Sequence, residues 1–208
     1  MMQGDDRLPI VEFLSRTIGR FTDTRPRSEK ELKKGFLISP SACDNAVSVE
    51  GRVTWRHYTY QIEIMFRIDN AEFKRLQKRF FDTYSPGQKP QQLSMIFISF
   101  DHAAGLSGSK IAPLIHDAET QAAAFRHIEA NCQTVFEWVR SFANSNEALR
   151  LYSEHVWLRA SWYPLVFYVL ISSVHGKKAA VDYARNLGAK ELPRMMAEMA
   201  EFLRVEQP

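Results

Sequence analysis

Residues 46–69 read AVSVEGRVTWRHYTYQIEIMFRID, and the spacing of their apolar side chains decides the fold class. Val47, Val49, Val53 and Trp55 fall on odd positions, whereas Tyr60, Ile62, Ile64, Phe66 and Ile68 fall on even ones. Successive side chains of a strand point to opposite faces, so each run predicts a strand with one buried face. The parity changes near His57, which demands a turn or a bulge there, and Glu50-Gly51 offers a second turn. Alternation alone therefore allows two strands or three.

Working outward, the period lengthens on both sides. Upstream, Leu8, Val11, Leu14, Ile18 and Phe21 recur at three- and four-residue steps and predict an amphipathic helix. The charged stretch from Thr22 to Lys34, with Pro26, reads as an exposed connection leading into a short helical turn. Downstream, Asn70 stands where an N-cap belongs, followed by the stripe Phe73, Leu76, Phe80 and Phe81, and the helix should stop before Ser85-Pro86-Gly87. Leu93 to Phe100 is nearly continuous in apolar character, which predicts a central, well-buried strand.

Beyond a glycine-bearing loop ending near Asp117 the chain turns helical. Phe125, Ile128, Cys132, Val135, Phe136, Val139 and Phe142 fall on one face of a long helix. Three further helices are expected: one opening at Tyr163-Pro164 and ending before Gly176, one from Lys177 to Leu187, and one from Ala189 to Leu203. Gly188 supplies the tight turn of an antiparallel hairpin. The expected architecture is α+β: a small antiparallel sheet with an N-terminal helix and one crossing helix, packed against a C-terminal bundle of about four helices. One domain spanning residues 1–208 is expected, with a sheet-bearing half at 1–117 and a helical half at 118–208.

Composition excludes several classes. Hydrophobic residues at 45% and charged residues at 25% match a globular protein and exclude a disordered or fibrous one. The net charge of +3 gives no field strong enough to steer nucleic acid or anionic lipid. Cys43 and Cys132 are far apart, outside any Cys-x-x-Cys pair, and read as free thiols. The polar, acidic start from Met1 to Arg7 lacks the features of a signal peptide, so a reducing cytoplasm is the expected location. The apolar run Trp162 to Val174 falls short of the roughly 20 residues that span a bilayer, so no membrane is expected.

The residues with chemistry gather after the Leu93–Phe100 segment. Asp101 and His102 follow the strand, and His116 and Asp117 follow the loop, a set suited to hard-metal binding or acid–base work in a metal-assisted hydrolase. Against this, polar loops favour such residues as turn formers. The loop from Gly105 to Lys110 fails the spacing of a phosphate cradle, because only two residues separate its glycines and Ser109 precedes the lysine. His127 and Glu129 are two apart on a helix and cannot chelate one ion together. His155 and His175 flank the apolar segment, where His175 complements a helix C-terminus. Lys74, Arg75, Lys78 and Arg79 form a basic surface opposite Phe73, Leu76 and Phe80, and Arg25, Arg27, Lys30, Lys33 and Lys34 form another. Phosphate contacts need such groups, yet a charged outer helix face is ordinarily solvation. No Gly-x-Ser-x-Gly elbow, His-Glu-x-x-His pair or dinucleotide fingerprint occurs.

Three features carry a family resemblance: Lys34-Gly35-Phe36 ahead of the strands, the stripe Phe125 to Phe142 followed by Ala148-Leu149, and His175-Gly176 with Ala179-Ala180 opening the penultimate helix. In these and in its element order the chain resembles a group of bacterial α+β proteins that includes immunity proteins of polymorphic toxin systems. That resemblance implies a binding role, a compact protein that recognises one protein partner and blocks it, with no catalytic motif to carry over. Inhibitors of nucleases tend to be acidic, so a chain at +3 points to a toxin other than a nuclease. The expectation is thus a non-enzymatic protein-binding module without cofactor or metal. The hydrolase at Asp101, His102, His116 and Asp117 is the first alternative, and nucleic-acid binding through Lys74 to Arg79 the second.

Overall fold

The computed structural model describes residues 7–39, 43–86, 94–105, 113–159, 162–187 and 193–205. It is a mixed α+β protein. Helices α1 (Arg7–Gly19) and α2 (Glu29–Leu32) precede β1 (Phe36–Leu37), β2 (Ala46–Arg56) and β3 (Thr59–Asp69). Helix α3 (Ala71–Tyr84), strand β4 (Ile96–Ser99), α4 (Phe100–Gly105) and α5 (Ala118–Arg140) follow, then α6 (Ser145–Glu154), α7 (Tyr163–His175), α8 (Lys177–Asn186) and α9 (Arg194–Val205). The chain divides into two compact units interleaved in sequence, one of Met1–Ser41, Val47–Arg67 and Phe97–Ser141, the other of Ala42–Ala46, Ile68–Ile96 and Phe142–Pro208.

In the first unit the sheet is open and antiparallel, in the order β1-β2-β3-β4. Strand β1 pairs with β2 so that Phe36 faces Val49 and Leu37 faces Ser48. The ambiguity between two strands and three resolves at His57 and Tyr58, whose φ angles of 49° and 64° make the tight two-residue turn that joins β2 to β3. Glu50-Gly51 is no turn but lies inside β2. A Cβ at Gly51 would stand 3.0 Å from Cδ1 of Ile18 and 3.3 Å from Cδ2 of Leu32, so the missing side chain lets α1 and α2 press onto the strand.

The inner face of the sheet carries Val47, Val49, Val53, Ile62, Ile64, Phe66 and Ile98, all buried. Against it lie α1 and α5, locked by stacked rings: Phe13 on Phe125 at 3.9 Å, and Phe21 on Phe136 at 4.0 Å, with Phe66 meeting Phe136 edge-on. Helix α5 starts at a capping box in which Asp117 accepts from the Thr120 amide, and it ends where Arg140 donates from Nε to the Ile38 carbonyl at 3.0 Å.

Strand β4 is at the edge, not the centre as its apolar run suggested. The run misled because Phe97, apolar but pointing outward, is 52% exposed, while Ile96 and Ile98 are buried. The chain turns into α4 at Phe100, so β4 is only four residues long and Asp101-His102 lies in a helical turn instead of a loop. Leu93, Gly108, Lys110, Gly188 and Leu192, on which several expectations rested, lie outside the described residues.

In the second unit α7 is the buried helix expected at Tyr163-Pro164, with Pro164 in its first turn and Gly176 just past its end at φ 84°. Phe80 of α3 meets Trp162 and Phe202 edge-on, and Tyr152 of α6 meets Phe167 of α7 in the same manner. Helix α6 was not anticipated; Asn144 caps it, and Ala148, Leu151 and Tyr152 are its buried stripe. Among the described residues no helix is long and apolar enough to cross a membrane. Cys43 and Cys132 are free.

Candidate functional site

The four residues proposed for hydrolytic chemistry separate into pairs with other partners. His102 places Nδ1 2.6 Å from the Ser99 hydroxyl, which also accepts the His102 amide at 3.2 Å. Ser99 is thereby the N-terminal cap of α4, and the imidazole closes back on its own cap. Asp101 faces His127 of α5, Oδ1 to Nε2 at 4.0 Å, which is an approach and not a hydrogen bond. His116 and Asp117 stand 3.8 Å apart, both more than half exposed. The capping bonds from Thr120 hold the Asp117 carboxyl below its ordinary pKa, the backbone amide contributing most. Among the described residues no three His, Cys, Asp or Glu side chains come together to hold an ion.

The basic surface of α3 is exposed as expected, but part of it is answered locally. Lys74 lies 3.4 Å from Asp69, and Arg75 grips Glu72 through two bonds of 2.7 Å, which lowers the Glu72 pKa. Of the other cluster, Lys33 pairs with Glu29, which also takes Arg7. Arg25, Arg27 and Lys34 line an open groove of about 1280 Å³ whose walls also carry Glu12, Asp23, Glu29 and Glu31. Such mixed walls give no single sign of field.

The concentration of unusual features lies instead on the outer face of the sheet. There the residues of opposite parity to the core project: Glu50, Arg52 and Thr54 from β2, Gln61, Glu63, Met65 and Arg67 from β3, and Phe97 and Ser99 from β4. Most are partly or fully exposed, yet the Glu50 side chain is only 1% exposed. Its Oε1 takes Arg52 Nη2 at 2.9 Å and its Oε2 lies 2.9 Å from Arg67 Nη2. Arg67 in turn lies over the Phe97 ring, 5.9 Å from its centroid. A buried carboxylate needs such partners, because removal from water disfavours the charged form unless cations replace the lost hydration.

Beside this cluster a cavity of about 480 Å³ opens, lined by Arg52, Glu63, Met65, Phe97, Asp101 and His102 among others. Asp101 and His102 therefore do border a concavity, but His116 and Asp117 do not line it. The Thr54 hydroxyl reaches Glu63 at 3.4 Å. Sequence reasoning passed over Glu50, Arg52, Arg67 and Phe97. The available signal was the polar parity of the two strands, Glu50 and Arg52 on even positions and Glu63 and Arg67 on odd ones, which puts opposite charges on one face.

No family model matches the chain, no curated protein matches it, and no solved structure matches it.

Proposed function

We propose that this chain is a non-enzymatic protein-binding module that docks through the outer face of its sheet. The single observation that carries this reading is the solvent-facing surface of β2, β3 and β4, where Phe97 is 52% exposed beside partly buried Met65 and the Glu50 ionic cluster. Large apolar groups bounded by polar ones are the composition of recognition surfaces, with aromatic residues and arginine enriched at their centres. Catalytic readings lack comparable support: Ser99 and His102 serve as a helix cap, and the four acid–base candidates divide into separate pairs. The resemblance to toxin-neutralising immunity proteins narrows the partner to a toxin encoded beside the protein, and the charge of +3 to one that is not a nuclease.

Affinity capture from the source cells, using the tagged chain and its Phe97→Arg variant, tests the docking surface. The wild type should retain one defined partner that the variant loses while keeping its thermal melt. An identical capture profile for both chains removes the outer face as the docking surface.

A further inference from the structure

We infer that the tip of the β2–β3 hairpin, Trp55 to Tyr58, is an insertion element whose Tyr58 ring seats in an apolar cleft of a protein partner. This contact goes beyond the docking face above and needs nothing from Phe97. The two central residues of the turn, His57 and Tyr58, hold φ angles of 49° and 64°. Two-residue hairpin turns in this region take Asn and Gly, because a Cβ crowds the backbone there. Histidine is among the side chains that enter it more readily than most, but a tyrosine is an outlier.

Packing does not account for the tyrosine either. Tyr58 is 80% exposed, more than any other large apolar side chain among the described residues. Burial therefore does little to offset the backbone cost, and the fold by itself would be served better by glycine. Strained residues of this kind gather where a protein meets its ligands.

The rest of the tip is built to hold still. The Thr59 hydroxyl donates to the Arg56 carbonyl at 2.8 Å and braces the turn. Trp55, 44% exposed, rests its ring 4.5 Å from that of Tyr60. Tyr60 is buried, and it exchanges both backbone hydrogen bonds with Ile115 at 2.7 and 2.8 Å. That bridge brings Leu114, 49% exposed, to the same end of the unit. Three large apolar side chains, Trp55, Tyr58 and Leu114, thus stand in solvent around one braced turn.

Shape and chemistry select the occupant. A narrow two-residue turn is convex, so its complement is a concave site. Tyrosine and tryptophan bring a large rigid contact area at small cost in side-chain freedom, which suits them to anchoring in a protein pocket. A nucleic acid calls for a run of cations, whereas Arg56 is the one arginine or lysine from Val53 to Ile62. Anchoring on a bilayer scales with the apolar area inserted, and the apex of this turn carries the polar ring of His57 beside the phenol.

The test places photoreactive benzoylphenylalanine at position 58 of the full chain in the source cells, and at exposed Thr134 as a control. Position 58 should cross-link one defined protein that position 134 does not. That protein, purified, is then titrated with the chain. Changing His57-Tyr58 to Asn-Gly should weaken binding at least about thirtyfold, the scale of an interface anchor, while the variant melts higher than wild type. Tyr58→Phe keeps the ring and should bind as wild type does. A loss of binding in a more stable chain is an outcome that a merely structural turn would not give.

No cross-linked protein at position 58, the same adducts from both positions, a cross-link only to a second copy of the chain, or equal binding by the Asn-Gly variant overturns the proposal. So does a Trp55 fluorescence shift with phosphatidylglycerol vesicles, or with a single-stranded oligonucleotide, that the Asn-Gly change abolishes. Partner capture separates the two surfaces. Loss with Asn-Gly but retention with Phe97→Arg keeps the tip and discards the outer face, and the reverse discards the tip.

Discussion

Replacing Asn70 with alanine should remove two distinct supports from the second unit. The Asn70 side-chain oxygen accepts the amides of Glu72 and Phe73 at 2.9 and 3.2 Å, capping α3. Its nitrogen donates to Oδ1 of Asn45 at 2.8 Å, and Asn45 passes the chain of bonds on to the Phe142 carbonyl, also at 2.8 Å. Asn45 is 0% exposed, so its oxygen would lose its partner with no water to replace it. Loss of the cap is worth about 1 kcal/mol. The stranded amide oxygen adds about 1–3 kcal/mol. Asn70→Ala should therefore destabilise by about 2–4 kcal/mol. With a urea slope near ~2 kcal/mol per molar, the midpoint followed by circular dichroism falls by about 1–2 M. Asn70→Ser separates the contributions, since serine caps about as well but cannot reach Asn45, and it should fall about 1 kcal/mol short of the alanine loss. An alanine variant within about 0.5 kcal/mol of wild type, the range of an ordinary surface change, would refute the reasoning, as would serine and alanine variants of equal stability.

Three further outcomes are expected. Changing His57-Tyr58 to Asn-Gly suits residues tolerant of positive φ to the turn, and because Tyr58 is 80% exposed little packing is lost; thermal melts should show a gain of about 1 kcal/mol, and a drop would exclude the turn geometry. Glu72 has its pKa lowered, chiefly by its bond from Arg75, so the folded state gains stability from the carboxylate above its unfolded pKa of about 4.5. Wild type should then be more stable than Glu72→Gln at neutral pH, and the gap in urea titrations should close as pH falls through the lowered folded value; a gap that persists at pH 2 would contradict this. Burial raises the pKa of Tyr152 and Tyr183 above the ordinary 10.0, so stability from keeping them neutral is present below pH 10 and declines above it. A spectrophotometric titration should show at least these two tyrosines ionising only as the chain unfolds in alkali, and full, reversible ionisation of all seven without unfolding would count against their burial.

Local patterns were readable where a buried face repeats often enough to impose its period. The parity change at His57 located the hairpin, Asn70 with Phe73 located α3, and the stripe Phe125 to Phe142 located α5. Strand β1 was not legible because two residues, Phe36 and Leu37, show no period. Helix α6 had its signal in Asn144, with Glu147 three residues on, but the apolar stripe of α5 ran into it through Phe142 and masked the break. The edge position of β4 was hidden by Phe97, an exposed ring that hydropathy alone cannot tell from a core one. For the candidate site, parity could place Glu50 and Arg67 on one face, but only strand pairing brings them within 2.9 Å, and pairing is a long-range fact. Asp101, His102, His116 and Asp117 attracted attention because their chemistry is visible in single letters, while Asp117 and Ser99 act as caps through backbone bonds that letters do not show.

The interleaving of the two units sets an order on synthesis. Every segment of the first unit has left the ribosome once Ser141 emerges, so the sheet and α5 can assemble while translation continues. Helix α3 belongs with Phe142–Pro208, and the rings that Phe73 and Phe80 meet there, Trp162 and Phe202, are made only later. During that interval the apolar stripe of α3 is already made while its aromatic partners are not, so it is the stage at which a holding chaperone has most to protect.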